Sequence, residues 1–405
     1  MATASPPRDA AIDLLRGVAI ALVMLLHFSL TYRLSQSPLA DWFGRDAVRA
    51  LIVNGNYGVT MFFVVSGFLI TRNVLRRDGS LGAVDLRRFY VMRAARILPP
   101  LLLALAIIVP PGLAGVASFA NISDGHALAL AFWLPAVGSV LSFTHNMLME
   151  SAGYFNYCLN IYWSLSVEEV FYLGFPLLCL LVRRPPIIVA ACAAAIAIGP
   201  IYRSVHADDE LFFMYGYAAC FDAIAFGCVA ALAAQRPRRA PQATWRALSV
   251  LGALALAVVY LRGIAGHEVF GFSSVALAAA LIVFASSSAA TGHGGPARAW
   301  AAAAAFAPLR WAGRHSYELY LFHIVVLAAL REWVPRDQLG YALKLPWLVA
   351  FVALSAALAA SVARFVSEPC NAALRRRFLG PDTLARGSTR DVRMPSRPAR
   401  DDSAG

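Results

Sequence analysis

About ten stretches of roughly 20 apolar residues each are the feature that most restricts how this chain folds. A helix rises about 1.5 Å per residue, so about 20 apolar residues cross the hydrocarbon core of a bilayer, which is about 30 Å thick. The composition agrees, because 60% of the 405 residues are hydrophobic and only 14% are charged, whereas soluble domains carry about 25% charged residues. We therefore predict an all-α integral membrane protein with about ten transmembrane helices around a central cavity. The predicted spans cover residues 12–32, 51–71, 97–117, 160–182, 187–202, 211–234, 245–262, 269–288, 309–332 and 346–366.

An eleventh apolar stretch, residues 127–148, is interrupted by Pro135 and Gly138 and is a weaker candidate for a span. Arginine placement decides between ten and eleven crossings, because cytoplasmic loops are enriched in basic residues. If the stretch does not cross and the N-terminus is cytoplasmic, every arginine cluster lies inside; if it crosses, the cluster at 236–239 moves outside. We therefore expect residues 110–160 to form an external segment, partly re-entrant or interfacial. The clusters lie at residues 72–96, 183–184, 236–239 and 375–377.

The domain organisation is predicted to be simple. Residues 1–377 would form one transmembrane domain in the cell (inner) membrane, with both termini cytoplasmic, and residues 378–405 a disordered basic tail. The net charge of +12 comes almost entirely from arginines between apolar runs and in the tail. This distribution follows the positive-inside rule, so we expect no nucleic-acid partner. The six cysteines include no C-x-x-C pair, and we expect no metal site.

Ionisable residues inside predicted spans are candidates for function, because burying them in a membrane is costly. Arg16 and His27 lie in the first span, 11 residues apart. At 100° per residue they return to the same face within about 20°, separated by roughly 16 Å along the axis. We expect both to face one cavity. The structural alternatives are a snorkelling arginine and a packing histidine.

Two further spans carry polar stripes. In the fourth span Ser164 and Glu168 share one helix face, and Glu169 adds a second carboxylate. In the ninth span Tyr320 and His323 follow Ser316 at helical spacing and form one polar face. A carboxylate there can orient an imidazolium or bind hydroxyl groups.

For three other residues, the sequence does not decide between a functional and a structural role. Asp222 is a lone carboxylate in the sixth span. Arg93 and Arg96 lie three residues apart where the third span begins, which suits a phosphate clamp, although the positive-inside rule also explains them.

Five motifs in order resemble the acyltransferase-3 family of membrane-bound O-acyltransferases, and the resemblance covers residues 13–377. They are D-L-L-R-G with His27, G-V-T-M-F-F-V-V-S-G-F, R-F-Y-V-M-R-A-A-R-I-L-P-P, Y-W-S-L-S-V-E-E-V-F-Y and G-R-H-S-Y-E-L-Y-L-F-H. The resemblance implies a ten-helix core that transfers an acyl group, commonly acetyl, from cytoplasmic acyl-CoA to a hydroxyl of a glycan or glycoside. Some members carry an additional domain outside the membrane. This sequence ends after its last span, so transfer is expected within the membrane core.

The resemblance also implies roles for individual residues. The family's Arg-x10-His pair matches Arg16 and His27, and its R-x-x-R pair matches Arg93 and Arg96, so the three arginines would bind the CoA phosphates. His27 would be the general base or carry a transient acyl group, and Glu168 and His323 would assist it. Acyl-CoA is expected as a co-substrate, with no tightly bound cofactor. Acceptor binding or support is expected from Asp13, Ser164, Glu169, Asp222 and Tyr320.

Two other functions remain open at this point. Intramembrane His, Glu and Asp residues also form the proton relays of transporters and flippases. A membrane scaffold or sensor without chemistry is a third possibility, but it leaves the paired carboxylates at 168 and 169 without a reason.

Overall fold

A computed structural model describes residues 9–123, 125–235, 240–288 and 304–380. These residues fold almost entirely into helices, joined by short connections and one small hairpin. The predicted all-α membrane fold is therefore confirmed. The arginine cluster at 236–239 and residues 381–405 of the predicted tail lie outside the described residues, and the cytoplasmic location of the termini stays a prediction.

The helices follow the apolar runs but extend past them into flanking polar turns. The first begins after Asp9, whose side chain accepts a hydrogen bond from the backbone N–H of Ala11 at 3.2 Å, as a capping residue does. The bounds are α1 Ala10–Tyr32, α2 Pro38–Phe43, α3 Arg45–Val53, α4 Tyr57–Asp78, α5 Leu86–Leu113, α6 Trp133–Leu141, α7 His145–Ala152, α8 Trp163–Val182, α9 Pro185–Val205, α10 Glu210–Tyr215, α11 Tyr217–Ala234, α12 Gln242–Arg262, α13 Glu268–Ser288, α14 Ala307–Arg314, α15 Ser316–Trp333, α16 Lys344–Val362 and α17 Glu368–Leu379.

Nine helical segments of the described chain are long and apolar enough to cross a membrane. The predicted ninth span, residues 309–332, is not among them and folds as α14 and α15. The 18 residues of α15 include three charged ones, Glu318, Arg331 and Glu332, all near its ends. Its middle is buried, so α15 is a central helix of the bundle.

The segment between α5 and α8 contains no helix long enough to span a bilayer. Its hairpin pairs β1, Ile122–Ser123, with β2, His126–Ala127, and α6 and α7 have 9 and 8 residues. A span needs about 20 residues. The segment is held together in part by Asn156, whose side chain donates to Phe119 O at 2.9 Å and to Asn121 Oδ1 at 2.7 Å. The stretch 127–148 therefore does not cross as one helix.

Two glycines bring α1 and α14 into backbone contact. A Cβ atom added to Gly17 would collide with the carbonyl oxygen of Leu309, and one added to Gly313 with that of Asp13. Small residues allow this close approach between membrane helices. The contact fixes α1 beside the start of α15.

Helices α1 and α15 run in the same direction. Near their beginnings Arg16 bonds Ser316, and farther along His27 bonds His323. Where α1 ends, Tyr32 donates to the carbonyl oxygen of Val334 at 3.0 Å. This register brings together polar residues that lie about 300 positions apart in the sequence.

Candidate active site

A cavity of about 710 Å³ lies among α1, α4, α5, α8, α15 and α17, within the usual size range of ligand pockets, about 300–1,000 Å³. Along α4 its wall follows one helix face from Val59 to Arg77, a length of about 27 Å at 1.5 Å per residue. One end is rich in arginine and the other is mainly apolar. Its polar lining consists of Arg16, Ser66, Asn73, Arg76, Arg77, Arg88, Arg93, Arg96, Ser164, Glu168, Glu169, Tyr172, Ser316, Tyr317, Tyr320 and Arg375.

Arg16 is fixed by the beginning of α15. Its Nη2 donates to Ser316 Oγ at 2.7 Å, and Ser316 is buried. A guanidinium has five N–H donors, so Arg16 can bond Ser316 and a ligand at the same time. The structure therefore presents Arg16 to the cavity, whereas His27, which was predicted to face the same cavity, is not among its lining residues.

Arg93 and Arg96 project from α5 into the same cavity. The guanidinium of Arg93 lies over the ring of Tyr172, 3.6 Å from its centroid, which orients its N–H groups along the ring plane. Arg96 is exposed. With Arg16, these residues form a positive wall suited to phosphate groups.

Glu168 is bonded within the cavity and not to a histidine. It accepts from Ser66 Oγ at 2.9 Å and from the hydroxyl of Tyr172 at 2.8 Å. Neither imidazole is among its hydrogen-bond partners in the described chain. Glu169 is 94% buried, and its Oε1 has no hydrogen-bond partner among the described residues.

The two intramembrane histidines form a direct hydrogen bond. The Nδ1 atom of His27 lies 3.0 Å from the Nε2 atom of His323. On its other side, His323 Nδ1 lies 2.9 Å from Leu319 O and 2.8 Å from Tyr320 O. A carbonyl only accepts, so Nδ1 of His323 carries a hydrogen and, in the neutral ring, Nε2 accepts. His27 must then donate through Nδ1, which leaves the lone pair of its Nε2 available.

Tyr320 joins the cavity to the histidine pair. Its hydroxyl donates to Ile161 O at 2.9 Å and lies 2.6 Å from Ser164 Oγ. Tyr320 and Ser164 both line the cavity. The ring of Tyr320 lies 6.0 Å from that of His323. The histidines themselves do not belong to the cavity lining; His323 adjoins it through Tyr320, whose backbone carbonyl oxygen lies 2.8 Å from His323 Nδ1.

The structure places two predicted site residues elsewhere. Asp222 forms a buried ion pair with Arg203 at 2.7 Å and accepts from Ser273 Oγ at 2.6 Å, away from the large cavity. Asp13 lies in the first turn of α1, near Arg16 but outside the cavity lining.

Sequence reasoning missed several cavity residues because it explained them by charge distribution alone. Arg76, Arg77, Arg88 and Arg375 were expected only as basic residues at the cytoplasmic face, yet all four line the cavity. Ser66 was part of a motif that packing also explains. No group of three potential metal ligands occurs in the described part of the chain.

Comparisons with known proteins identify the family of this chain. A family model described as an acyltransferase domain, that of acyltransferase-3, matches residues 9–364. The chain is 24% identical over 334 residues to the peptidoglycan O-acetyltransferase OatA of Listeria monocytogenes, covering 78% of this chain and 49% of that protein. It is 26% identical over 177 residues to the O-acetyltransferase OatA of Staphylococcus aureus, covering 43% of this chain and 25% of that protein. The chain thus spans half or less of these relatives' lengths. No solved structure matches it.

Proposed function

Because the chain belongs to the acyltransferase-3 family and is therefore an acyltransferase, we propose that it transfers an acetyl group from acetyl-CoA to a carbohydrate hydroxyl. The observation that carries this proposal is the histidine pair beside Tyr320, a residue that lines an arginine-rich cavity. Acetyl-CoA has phosphate groups at one end and a thin, uncharged arm that carries the thioester, which matches a cavity with one arginine-rich end and one mainly apolar end.

Acetyl-CoA would bind with its phosphates at the arginine-rich end. Arg16, Arg93 and Arg96 have guanidinium groups in the cavity wall, and bonds from guanidinium to phosphate are among the stronger hydrogen bonds in proteins. The pantetheine arm would then extend along α4 towards Ser164 and Tyr320. Movement of this hydroxyl pair would bring the thioester to His27.

The proposed chemistry uses the free lone pair of His27. As the acceptor oxygen attacks the thioester carbonyl, Nε2 of His27 takes the hydroxyl proton, the new C–O bond forms and the C–S bond breaks. The proton then passes to the leaving thiolate, so the products are an O-acetyl ester and CoA. His323 supports this step as an acceptor that holds the neutral imidazole in the required tautomer. Attack by the same lone pair on the thioester would give an acyl-histidine, which rapid quenching of radiolabelled enzyme distinguishes.

We propose that the acceptor is a cell-envelope glycan and that the protein works in the inner membrane. The Listeria relative is named for peptidoglycan, and a carbohydrate offers the hydroxyl groups that O-acetylation requires. Glu168 and Glu169 line the same cavity and would orient groups of either substrate through hydrogen bonds.

The test uses the purified full-length chain in lipid nanodiscs with radiolabelled acetyl-CoA, with and without soluble peptidoglycan fragments. We expect release of free CoA thiol that depends on the fragments, with label in an alkali-labile ester. Absence of binding and turnover with acetyl-CoA and longer acyl-CoAs would reject the proposal. Glycan-driven proton movement in proteoliposomes would then support the transporter alternative.

A further inference from the structure

The arginines of the cavity lie at two depths. On α5, Arg88 is in the first turn, whereas Arg93 and Arg96 follow about 7 and 12 Å farther along the axis at 1.5 Å per residue. Arg76 lies in the last turn of α4, at the same end, because only residues 79–85 connect the end of α4 to the beginning of α5. We call Arg76, Arg88 and Arg375 the mouth arginines, and Arg16, Arg93 and Arg96 the deep arginines.

Arg375 reaches the mouth because α17, which continues the helical run of α16, packs against α5. A π-helical turn, Ala363–Ser367, links α16 to α17. Near the end of α17, the carbonyl oxygen of Phe378 accepts from Arg87 Nη2 at 3.0 Å, which ties α17 to the beginning of α5. Arg375 precedes Phe378 by about one turn, and its side chain lines the cavity together with Arg88.

The mouth arginines carry positive charge that is not paired with any carboxylate of the described residues. The neighbouring Arg77 forms a two-point ion pair with Asp78, at 2.9 and 2.7 Å. None of the mouth arginines has an ion-pair partner within the described ranges. The Nε atoms of Arg88 and Arg375 are buried and lack a hydrogen-bond partner there. Like charges held close together repel, so this end of the cavity favours a multiply charged anion.

We propose that the mouth arginines form a subsite for a phosphomonoester, the 3′-phosphate on the ribose of CoA, while the deep arginines bind the diphosphate. This inference rests on the proposed function. In CoA the 3′-phosphate, the diphosphate, the pantetheine arm and the thioester follow one another. Along the helices that line it, the cavity presents the mouth arginines, the deep arginines and then, past Glu168 and Ser66, the Ser164–Tyr320 pair, which follows the order of these groups in CoA.

A phospholipid headgroup offers similar phosphate chemistry. The positions of Arg88 and Arg375 favour the nucleotide, since both line a cavity that continues to the deep arginines. Varying the acyl donor and the lipid composition independently distinguishes binding of the CoA 3′-phosphate from binding of a phospholipid headgroup.

The experiment compares acetyl-CoA with acetyl-dephospho-CoA, which lacks only the 3′-phosphate, in wild type, Arg375→Gln and Arg88→Gln. The matched control is Arg377→Gln, an exposed residue of α17 outside the cavity lining. We expect wild type to prefer acetyl-CoA in kcat/KM by about 10- to 100-fold, the value of one charge-assisted hydrogen bond network. The preference should fall towards unity in both cavity variants and persist in Arg377→Gln.

Three results would overturn the subsite. The first is equal use of both donors by wild type, and the second is an equal slowing of both donors in Arg375→Gln. The third is an effect of Arg375→Gln that appears only in nanodiscs with anionic lipid and is the same for both donors, which would assign the mouth to a headgroup. Failure of wild type to use either donor would instead reject the proposed acyl-CoA function.

Discussion

His27 and His323 share a hydrogen bond of 3.0 Å between Nδ1 and Nε2, although 296 positions separate them in the sequence. Because His323 Nδ1 faces two carbonyl oxygens, this bond fixes which nitrogen of each neutral ring carries the hydrogen. The result is a His27 whose Nε2 can accept a proton.

Replacing His323 tests that orientation. In His323→Leu the acceptor for the Nδ1 hydrogen of His27 is lost, and we expect kcat to fall by about 10- to 100-fold, which corresponds to about 1.4–2.7 kcal/mol of activation free energy. The KM for acetyl-CoA should change little. His323→Gln keeps an acceptor oxygen and should recover part of the activity. Equal losses in both variants would show that the hydrogen bond does not orient His27.

Gly17 tests the placement of Arg16. In Gly17→Ala the added methyl collides with Leu309 O, so α14 must move and the bond from Arg16 to Ser316 is disturbed. We expect the KM for acetyl-CoA to rise by about 10-fold, the effect of losing about 1.4 kcal/mol of binding. Gly174→Ala is the control, because a Cβ there meets open space. An unchanged KM in Gly17→Ala would contradict this account of how Arg16 is positioned.

The ion pair of Arg203 and Asp222 tests a structural role for Asp222. Both side chains are at most 1% exposed, and removing one partner of such a pair costs about 3–5 kcal/mol. Asp222→Leu and Arg203→Met should each lower the free energy of unfolding in detergent, whereas the double variant should recover much of the loss. Turnover per folded molecule should stay unchanged. A loss of turnover in stably folded double variant would instead place Asp222 in catalysis.

His145, in the segment outside the spans, predicts a pH effect on stability. Burial lowers the pKa of His145 from 6.5 to about 4, and its Nδ1 bonds Ser139 Oγ at 2.9 Å. Above pH 6.5 both states are neutral, but as the pH falls towards 4 the unfolded state binds the proton first, so stability declines. The difference between the two pKa values corresponds to about 3 kcal/mol of stability that is lost between pH 6.5 and 4. In denaturant titrations between pH 6.5 and 4, the free energy of unfolding should fall less steeply with decreasing pH in His145→Gln than in wild type. The same pH dependence in both proteins would contradict a role for His145 in this loss of stability.

The spans could be predicted because hydrophobic length is a local property. Helical spacing likewise grouped Ser316, Tyr320 and His323 on one face, and the structure turns that face towards α1 and α8. The shared face of Ser164 and Glu168 also lines one cavity. These are relationships within single helices, which the 3.6-residue period determines.

Contacts between helices could not be predicted from the spacing of residues along the sequence. Nothing in the sequence of the first span indicates that His27 contacts His323. Nor does the sequence around Arg375 indicate that this residue lines the cavity. Arg203 lies one residue past the predicted fifth span, 187–202, so Asp222 seemed to be alone until the structure paired them. Which helix packs against which depends on close approaches such as the one between Gly17 and Leu309.

The most direct test of the central claim measures glycan-dependent release of CoA from acetyl-CoA by wild type and His27→Ala, with CoA binding determined on the same samples. If His27 is the base beside an arginine-lined donor site, the variant should bind CoA with an unchanged Kd and lose about 10²- to 10⁴-fold in kcat. Turnover that survives the substitution at the wild-type rate would contradict the account.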